Sequence, residues 1–398
     1  MSEPDTPNAE VRPADVRKAL TANHKVLARD FVERDEILQS LTCAALAEHH
    51  ALLVGPPGTA KSMIARAWSA QFSDATYRET LLTRQTTEDQ VLCYLDVPSF
   101  MNGERKFRFD GSLPEAHFAF VDECFKATGG LLNAQLGWLN ERTVRGFKSP
   151  LITAIGASNE FGEDDSVLAL EDRFLFRHWV SPIAKKDHKI VFLRDRAEHR
   201  VLTALQPITL TELSAAQAAV RATPLDDVLF GVLADLQVNL NGIGIEVSDR
   251  RLGQCLVILQ AYAWIQGDTS VGPEHLDVLR HVLWRRPEDK AGVDAAIGAI
   301  DKGIVGEIRA TIERALEPYY AARAAFNAAT GTWSNEAAKL AYLQRCPAFL
   351  PVFQQAGEEV KAKLGAGGSE RVKLRAKEYL AELREAFVQA RADCKGAL

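Results

Sequence analysis

The strongest chemical signal in the sequence is a glycine- and proline-rich loop, GPPGTAKS, at residues 55–62. An apolar run typical of a buried strand precedes it and a helically spaced segment follows it, which is the setting of a phosphate-binding loop. Backbone N–H groups of such a loop point at phosphate oxygens. Lys61 would bring a positive charge to the β- and γ-phosphates, and the Ser62 hydroxyl would bind Mg²⁺. We assign nucleotide binding to Gly55, Pro56, Gly58, Thr59, Ala60, Lys61 and Ser62.

The loop departs from the strict pattern at one position, because Ala60 stands where Gly usually precedes the lysine. Ala can adopt a helical backbone angle, so we expect the loop to form. The simpler interpretation is an ordinary Gly/Pro turn with an exposed lysine.

A second signal is the segment HFAFVDE at 117–123, an apolar run that ends in two acids. At a strand tip beside the loop, Asp122 would hold the Mg²⁺ shell. Glu123 would polarise the attacking water as a general base, a role worth about 10²–10⁴ in rate. Apolar strands that end in acids are common, but both motifs in this order are much rarer by chance.

A third signal is LITAIGASNE at 151–160, a predicted buried strand that delivers Asn159 to the same sheet edge. An amide there can orient water against the γ-phosphate. Taken alone, an Asn at a strand end is more often a turn residue.

The elements around these residues alternate between strands and helices up to about residue 182, which predicts an α/β fold with a mostly parallel sheet. Helical patterns dominate after that point. The domains predicted from these patterns are a tail at 1–14, an α/β nucleotide-binding core at 15–182, a helical lid at 183–303 and a helical C-terminal extension at 304–398.

In the extension, GAGG at 365–368 interrupts the helical pattern. An apolar stripe at helical spacing follows, formed by Val372, Ala376, Tyr379, Leu380, Leu383 and Phe387. Such a stripe usually packs onto the rest of its chain. Partner binding is the alternative.

The composition is that of an ordinary globular protein, with a formal net charge of −6. This balance disfavours a sequence-independent DNA binder. The six Cys form no CxxC pair, which predicts buried reduced thiols. The N-terminal residues MSEPDTPNAE lack the apolar core of a signal peptide, and no run approaches the length of a membrane span. We therefore expect a cytoplasmic protein.

The three motifs together resemble AAA+ ATPases, and further stretches resemble the MoxR family, most closely its RavA-like branch. These stretches are LLTRQTTEDQV (81–91), SLPEAHFAFVDECFKA (112–127), LNERTVRGF (139–147), ASNE (157–160), LEDRFLFR (170–177) and SDRR (248–251). The resemblance covers roughly residues 15–290, and the last hundred residues match much less clearly.

The resemblance implies an AAA+ core with a helical lid, and it adds arginines to the site. Asn159 falls at the position called sensor 1. Arg173 falls at the arginine finger, which points into the neighbouring subunit's site. Arg250 falls at sensor 2 on the lid of the same subunit, although the adjacent Arg251 leaves that assignment open by one residue. The alternative for Arg173 is a surface ion pair with Glu171 or Asp172.

The resemblance also identifies two inserts. Residues 101–109 carry Asn102-Gly103, a hairpin signal, where the family has its helix-2 insert near the axis of the ring. Residues 141–150 resemble the hairpin before the sensor 1 strand. Both could instead be solvated loops, and a role in contacting substrate stays open.

The implied activity is Mg²⁺-dependent hydrolysis of ATP by a ring, most simply a hexamer, that remodels or activates a protein client. A von Willebrand factor A domain protein is the implied partner.

Two alternatives belong to other classes. One is a nucleic-acid motor or loader, which the net charge and the lack of a zinc-finger or helix-turn-helix signal disfavour. The other is a nucleotide-gated scaffold that scarcely hydrolyses ATP. The presence of Glu123, Asn159 and Arg173 argues against the scaffold.

Overall fold

A computed structural model describes residues 12–162, 164–198, 203–327, 332–365 and 370–395. The chain divides into two compact units. The first comprises the residues up to Pro224 together with Val247–Thr269 and Val278–Lys290. The second comprises Leu225–Glu246, Ser270–Asp277 and the residues from Ala291 onwards. Every residue predicted to do chemistry lies in the first unit.

Helices and strands alternate through the first half of the chain. In order they are α1 (Pro13–Asp30), α2 (Asp35–Ala47), β1 (His50–Val54), α3 (Lys61–Ser69), β2 (Tyr77–Leu81), α4 (Glu88–Val91), β3 (Tyr94–Leu95), α5 (Val97–Met101), β4 (Phe107–Arg108), β5 (Phe118–Asp122), α6 (Gly129–Glu141), β6 (Thr143–Val144), β7 (Phe147–Lys148), β8 (Thr153–Ser158), α7 (Asp165–Glu171) and β9 (Phe174–Trp179).

The remainder is mainly helical. It comprises α8 (Lys186–Ala197), α9 (Leu210–Arg221), α10 (Asp227–Gly242), α11 (Asp249–Gln266), α12 (Asp289–Arg323), β10 (Phe326–Asn327), β11 (Thr332–Trp333), α13 (Glu336–Gly365) and α14 (Glu370–Lys395), with 3₁₀ helices at Leu113–Glu115 and Pro273–His281.

The first unit is built on a five-stranded sheet in the order β2-β5-β8-β1-β9, and every neighbouring pair is parallel. All of β1 and β8 is buried, as expected for strands covered on both faces. The predicted α/β class is therefore confirmed. Because the strands are parallel, the segments that follow β1, β5 and β8 leave the sheet at one shared edge, which we call the carboxyl edge.

The two predicted inserts differ in form. In the first, β3 pairs with β4, and α5 lies between them, so the Asn102-Gly103 turn ends a short helix instead of joining two strands. In the second, β6 pairs with β7 across Arg145-Gly146. Both of these turn residues have positive φ, at 47° and 86°, which is the geometry of a tight two-residue hairpin.

The C-terminal helices α12, α13 and α14 share a hydrophobic core of their own. Ala376 and Leu383 of the predicted stripe are buried in this core, and Tyr379, Leu380 and Phe387 pack against it. These five residues of the stripe therefore pack within their own chain, and the side chain of Val372 lies outside the described part. The expected lid–extension boundary at 303–304 lies inside α12, which is continuous there; the GAGG segment falls mostly on 366–369, outside the described residues.

Two sequence expectations concern thiols and membranes. All six Cys are free thiols, and five of them are buried while Cys394 is partly exposed. Among the described residues, no helix combines the length and apolar character that crossing a bilayer demands.

Candidate active site

The loop at 55–62 leaves β1 at the carboxyl edge and leads directly into α3, which begins at Lys61. Gly55 donates its N–H to the carbonyl of Ser158 at 3.0 Å, which ties the loop to the end of β8. A Cβ on Gly55 would lie 2.3 Å from the carbonyl oxygen of Val180, so the close approach of the two backbones requires glycine here.

The backbone of Ala60 corrects the sequence expectation for this loop. Its angles are φ 68° and ψ 22°, which is a helical conformation, but of the left-handed kind. That region costs a residue with a Cβ roughly 1–2 kcal/mol, whereas glycine enters it freely. The loop therefore forms with Ala60, but at an energetic cost that the usual glycine avoids.

Lys61 is largely enclosed by the loop, with 8% of its surface exposed. Its Nζ donates to the carbonyls of Gly55 at 2.6 Å and Pro56 at 3.2 Å, and to Oδ1 of Asn159 at 3.2 Å. Burial lowers the pKa of Lys61, and the nearby Asp122 and Glu123 carboxylates oppose that shift. The ammonium thus lies between the two loop carbonyls and the two carboxylates.

Glu123 is held by Asn159 at the end of β5. Asn159 Nδ2 donates to Glu123 Oε1 at 2.5 Å, and Lys126 Nζ lies 3.2 Å from the same oxygen. The other oxygen, Oε2, is enclosed and has no hydrogen-bond partner among the described residues. Glu123 also has a φ of 51°, a strained angle of the kind that clusters at functional sites. Oε2 therefore keeps an acceptor that no described group of the protein uses.

Ser62 and Asp122 supply a hydroxyl and a carboxylate at the same edge, and oxygen donors of this kind are what Mg²⁺ prefers. Asp122 is the last residue of β5, and its Oδ1 accepts the N–H of Glu123 at 3.0 Å, which leaves Oδ2 for a cation. Ser62 and Asp122 would therefore fit as holders of a magnesium ion, which would supply positive charge to a bound phosphate.

A cavity of about 460 Å³ opens beside the loop, a size suited to a small-molecule ligand. Its walls are mainly apolar side chains, with charged groups among them. The residues that line it include Phe31, Val32, Arg34, Met63, Pro182 and Ile183, together with Gly58, Thr59 and Ala60 of the loop. It is the natural place for the nucleoside part of a nucleotide whose phosphates lie on the loop.

Arg173 lies at the opposite edge of the sheet. It directly precedes β9, whose first residue pairs with His50 at the start of β1. A five-residue strand spans roughly 16 Å, so Arg173 is at least that far from the loop of its own subunit. The structure therefore does not bring Arg173 together with Lys61 and Glu123.

Arg250 lies beside Arg173, in a basic pocket of about 510 Å³. The basic side chains in its lining are His49, His50, Arg142, Arg173, Arg221 and Arg250. The pocket lies at the end of the sheet where β1 begins, opposite the carboxyl edge, which we call the amino edge. The sensor 2 role of Arg250 stays a prediction. Arg250 Nη2 donates to Asn140 Oδ1 at 2.9 Å.

The pocket is short of negative charge. Glu48 forms ion pairs with Arg142 and Arg221. Burial and the neighbouring Arg250 lower the pKa of Arg173. Burial lowers the pKa of His49 to about 3, and His50, Arg142 and Arg250 add to the shift. Mutual repulsion among these cations would be relieved by an anion in the pocket.

Arg251, the alternative to Arg250, is committed to internal contacts and is 1% exposed. It donates to Asp172 Oδ1 at 3.0 Å and to the carbonyls of Val282, Phe174 and Leu175. Asp172 Oδ2 in turn accepts from Arg173 at 3.3 Å. The ion pair of Arg173 with Asp172, which the sequence offered as the alternative to an arginine finger, is present. Glu171, the other candidate, pairs with Arg286 instead.

Residues 18–216, half of the chain, match the MoxR domain of the MoxR-vWA-beta-propeller ternary systems. The chain belongs to the MoxR family of AAA+ ATPases. Residues 228–297 of this MoxR protein match an AAA lid domain. The finer assignment to the RavA-like branch stays a prediction.

Two proteins of Methanocaldococcus jannaschii are similar to this MoxR protein. One, described as uncharacterized protein MJ0812, is 33% identical over 283 residues, which covers 69% of this chain and 74% of the relative. The other, uncharacterized protein MJ0079, is 34% identical over 264 residues, covering 65% and 68%. A Cytophaga hutchinsonii protein provisionally described as an ATPase has a similar crystal structure, with a TM-score of 0.58 and 14% identity. That alignment covers 72% of this chain and 94% of the other, and it shows a shared fold.

Sequence reasoning on this MoxR protein missed several site residues. Arg142 stands within the quoted stretch LNERTVRGF, but its basic pocket was not foreseen. Asn140 stands in the same stretch. Arg221 and Glu48 carry no motif, and only the fold brings them to the pocket.

Proposed function

We propose that this chain hydrolyses ATP to ADP and phosphate in the presence of Mg²⁺. The observation that carries the proposal is the hydrogen-bonded chain Lys61–Asn159–Glu123 at the mouth of a phosphate-binding loop. It places a cation for phosphate and a carboxylate for water within one connected cluster. The adjoining cavity has the volume and apolar walls that a nucleoside needs.

In this proposal the loop and Lys61 hold the triphosphate, and Glu123 Oε2 accepts a proton from water. The water oxygen forms a bond to the γ-phosphorus while the bond from that phosphorus to the bridging oxygen breaks, and ADP carries the leaving electron pair. Asn159 holds Glu123 in place through its Nδ2. Mg²⁺, held by Ser62 and Asp122, would supply charge to neutralise the phosphates.

Among the described residues of one subunit, neither Arg173 nor Arg250 lies at the loop that would hold the γ-phosphate. Arg173 and Arg250 face away from their own loop, in a basic pocket that an anion would stabilise. We assign them to the nucleotide of a neighbouring subunit. Heterologous contacts of this kind close into a ring, and a hexamer is the leading expectation.

We further propose that the ring remodels or activates a protein client together with a von Willebrand factor A domain partner. The support is the matched domain, which is named for MoxR-vWA-beta-propeller ternary systems. The client is a protein, and nucleic acid has no assigned role.

The decisive variant is Glu123→Gln, which is nearly isosteric but lacks the basic carboxylate. Binding of ATP should persist, measured by equilibrium titration, while turnover falls by about 10²-fold or more. Turnover near the wild-type rate would place the base elsewhere.

An ATP-loaded Glu123→Gln bait should retain client and partner in a pull-down. Stimulation of wild-type turnover by single-stranded DNA would favour the motor or loader instead.

A further inference from the structure

Glu33 makes an unusual set of contacts in the turn between α1 and α2. Its Oε2 accepts the N–H of Ala184 at 2.7 Å, and its Oε1 accepts the N–H of Lys185 at 2.9 Å. The Nδ1 of His188 donates to Oε1 at 2.9 Å. One carboxylate therefore joins the α1–α2 turn to the start of α8, which is about 150 residues further along the chain.

These two joined segments form one wall of the cavity beside the phosphate loop. Phe31, Val32 and Arg34 come from the turn, and Pro182 and Ile183 come from the segment before α8. A second tie reinforces the joint, since Arg34 Nη2 donates to the carbonyl of Ser181 at 2.6 Å. Glu33 itself does not line the cavity, so it acts on the wall through its neighbours.

The backbone of Glu33 indicates that its side chain is kept for these contacts. Its φ is 60°, in the left-handed region where glycine is favoured and most residues are strained. The two backbone N–H groups hold the pKa of Glu33 down to about 2, so the carboxylate is ionised at neutral pH. Hydrogen bonds to an ionised acceptor are stronger than neutral ones, which offsets the strain.

We propose that Glu33 is a positioning residue that sets the width of this cavity and thereby selects the base of the bound nucleotide. The inference rests on the proposed function, because it takes the phosphates to lie on the loop. The loop binds the phosphates through its amides and Lys61, none of which depends on Glu33. Loss of the Glu33 contacts should therefore weaken the binding of the base and leave the binding of the phosphates unchanged.

The test compares ligands with and without a base, using the full-length chain and Mg²⁺. The dissociation constants of ATP, GTP and inorganic tripolyphosphate are measured for wild type, Glu33→Gln and Glu33→Gly. Glu33→Gly removes the carboxylate and also relieves the left-handed backbone strain. It therefore distinguishes the loss of the carboxylate contacts from an effect of the backbone. Glu313→Gln is the matched control, because Glu313 forms an exposed ion pair with Arg309 in the C-terminal helices.

We expect both Glu33 variants to bind ATP about tenfold more weakly, which is ~1.4 kcal/mol. The difference between the dissociation constants of ATP and GTP should also become smaller. Tripolyphosphate should bind within about twofold of wild type, since its contacts are those of the loop. Glu313→Gln should match wild type for all three ligands.

Two results would overturn the proposal. One is an unchanged affinity for ATP, or an unchanged ratio of ATP to GTP affinity, in both Glu33 variants. The other is an equal loss of affinity for ATP and tripolyphosphate, which would make Glu33 a general structural residue. If wild-type protein binds neither ATP nor tripolyphosphate, the proposed function itself fails, and the base-selection claim fails with it.

Discussion

Ala60 is the residue at which the loop departs from its usual chemistry, and its left-handed angle gives a direct prediction. Ala60→Gly should raise the free energy of unfolding by about 1 kcal/mol, since glycine enters this region without a Cβ clash. Urea unfolding measures this change. Ala218→Gly is the control, because Ala218 is exposed within α9 and should lose about 1 kcal/mol as a helical residue. Two changes of the same sign would show that the angle of Ala60 does not matter.

Lys61 is the cation on which phosphate binding depends. Lys61→Ala should abolish measurable ATP binding in a titration, because the phosphate charge would then face only the loop amides. Lys106→Ala is a control of the same chemistry, since Lys106 pairs with Glu104 on the exposed first insert. Wild-type affinity in Lys61→Ala would mean that the loop is not the site.

At the scale of elements, substitutions of the two adjacent arginines at the start of α11 should have different effects on stability and on turnover. Arg251 is buried among Asp172 and three carbonyls, so Arg251→Ala should lower the free energy of unfolding by about 3–5 kcal/mol. Arg250 is exposed in the basic pocket, so Arg250→Ala should stay within about 0.5 kcal/mol of wild type yet lose turnover. Chemical denaturation and a steady-state ATPase assay distinguish the two. The reverse pattern would assign the anion contact to Arg251.

The C-terminal stripe gives a second element-scale prediction. Leu383 is buried between helices of the C-terminal core and Val388 on the same helix is 58% exposed. Leu383→Ala should cost about 2–5 kcal/mol, whereas Val388→Ala should change stability by less than about 0.5 kcal/mol, as measured by thermal and urea unfolding. Equal stability of the two variants would favour the alternative that the stripe binds a partner. ATP affinity should be unchanged in both.

What could be predicted from the sequence follows from what is local. Asn159 could be placed beside Glu123 because parallel strands end at one edge, so two local motifs suffice. The contacts of Glu33 could not, since they depend on a turn and a helix start far apart in the chain. The roles of Arg250 and Arg251 could not be told apart from the sequence. Their roles depend on which of the two is buried, and sequence patterns do not assign burial to one of two adjacent cations.

On the scale of the whole molecule, the residues of the proposed site are divided between two edges of one sheet. The loop, Glu123 and Asn159 lie at the carboxyl edge, and Arg173 lies with Arg250 at the amino edge. The strands β1 and β8 separate the two edges and are buried along their whole length. In the proposed mechanism, ATP hydrolysis therefore arises only when subunits meet.

Subunit mixing tests this claim most directly. Glu123→Gln subunits lack the base but offer Arg173, and Arg173→Ala subunits keep the base but offer no arginine. Each variant alone should be nearly inactive in a steady-state ATPase assay. An equal mixture, disassembled and reassembled together, should recover roughly a quarter of the wild-type turnover per subunit, since that fraction of subunits keeps its base and has a neighbour with Arg173. A mixture no more active than its separate components, or an Arg173→Ala protein with wild-type turnover, would contradict a site shared between subunits.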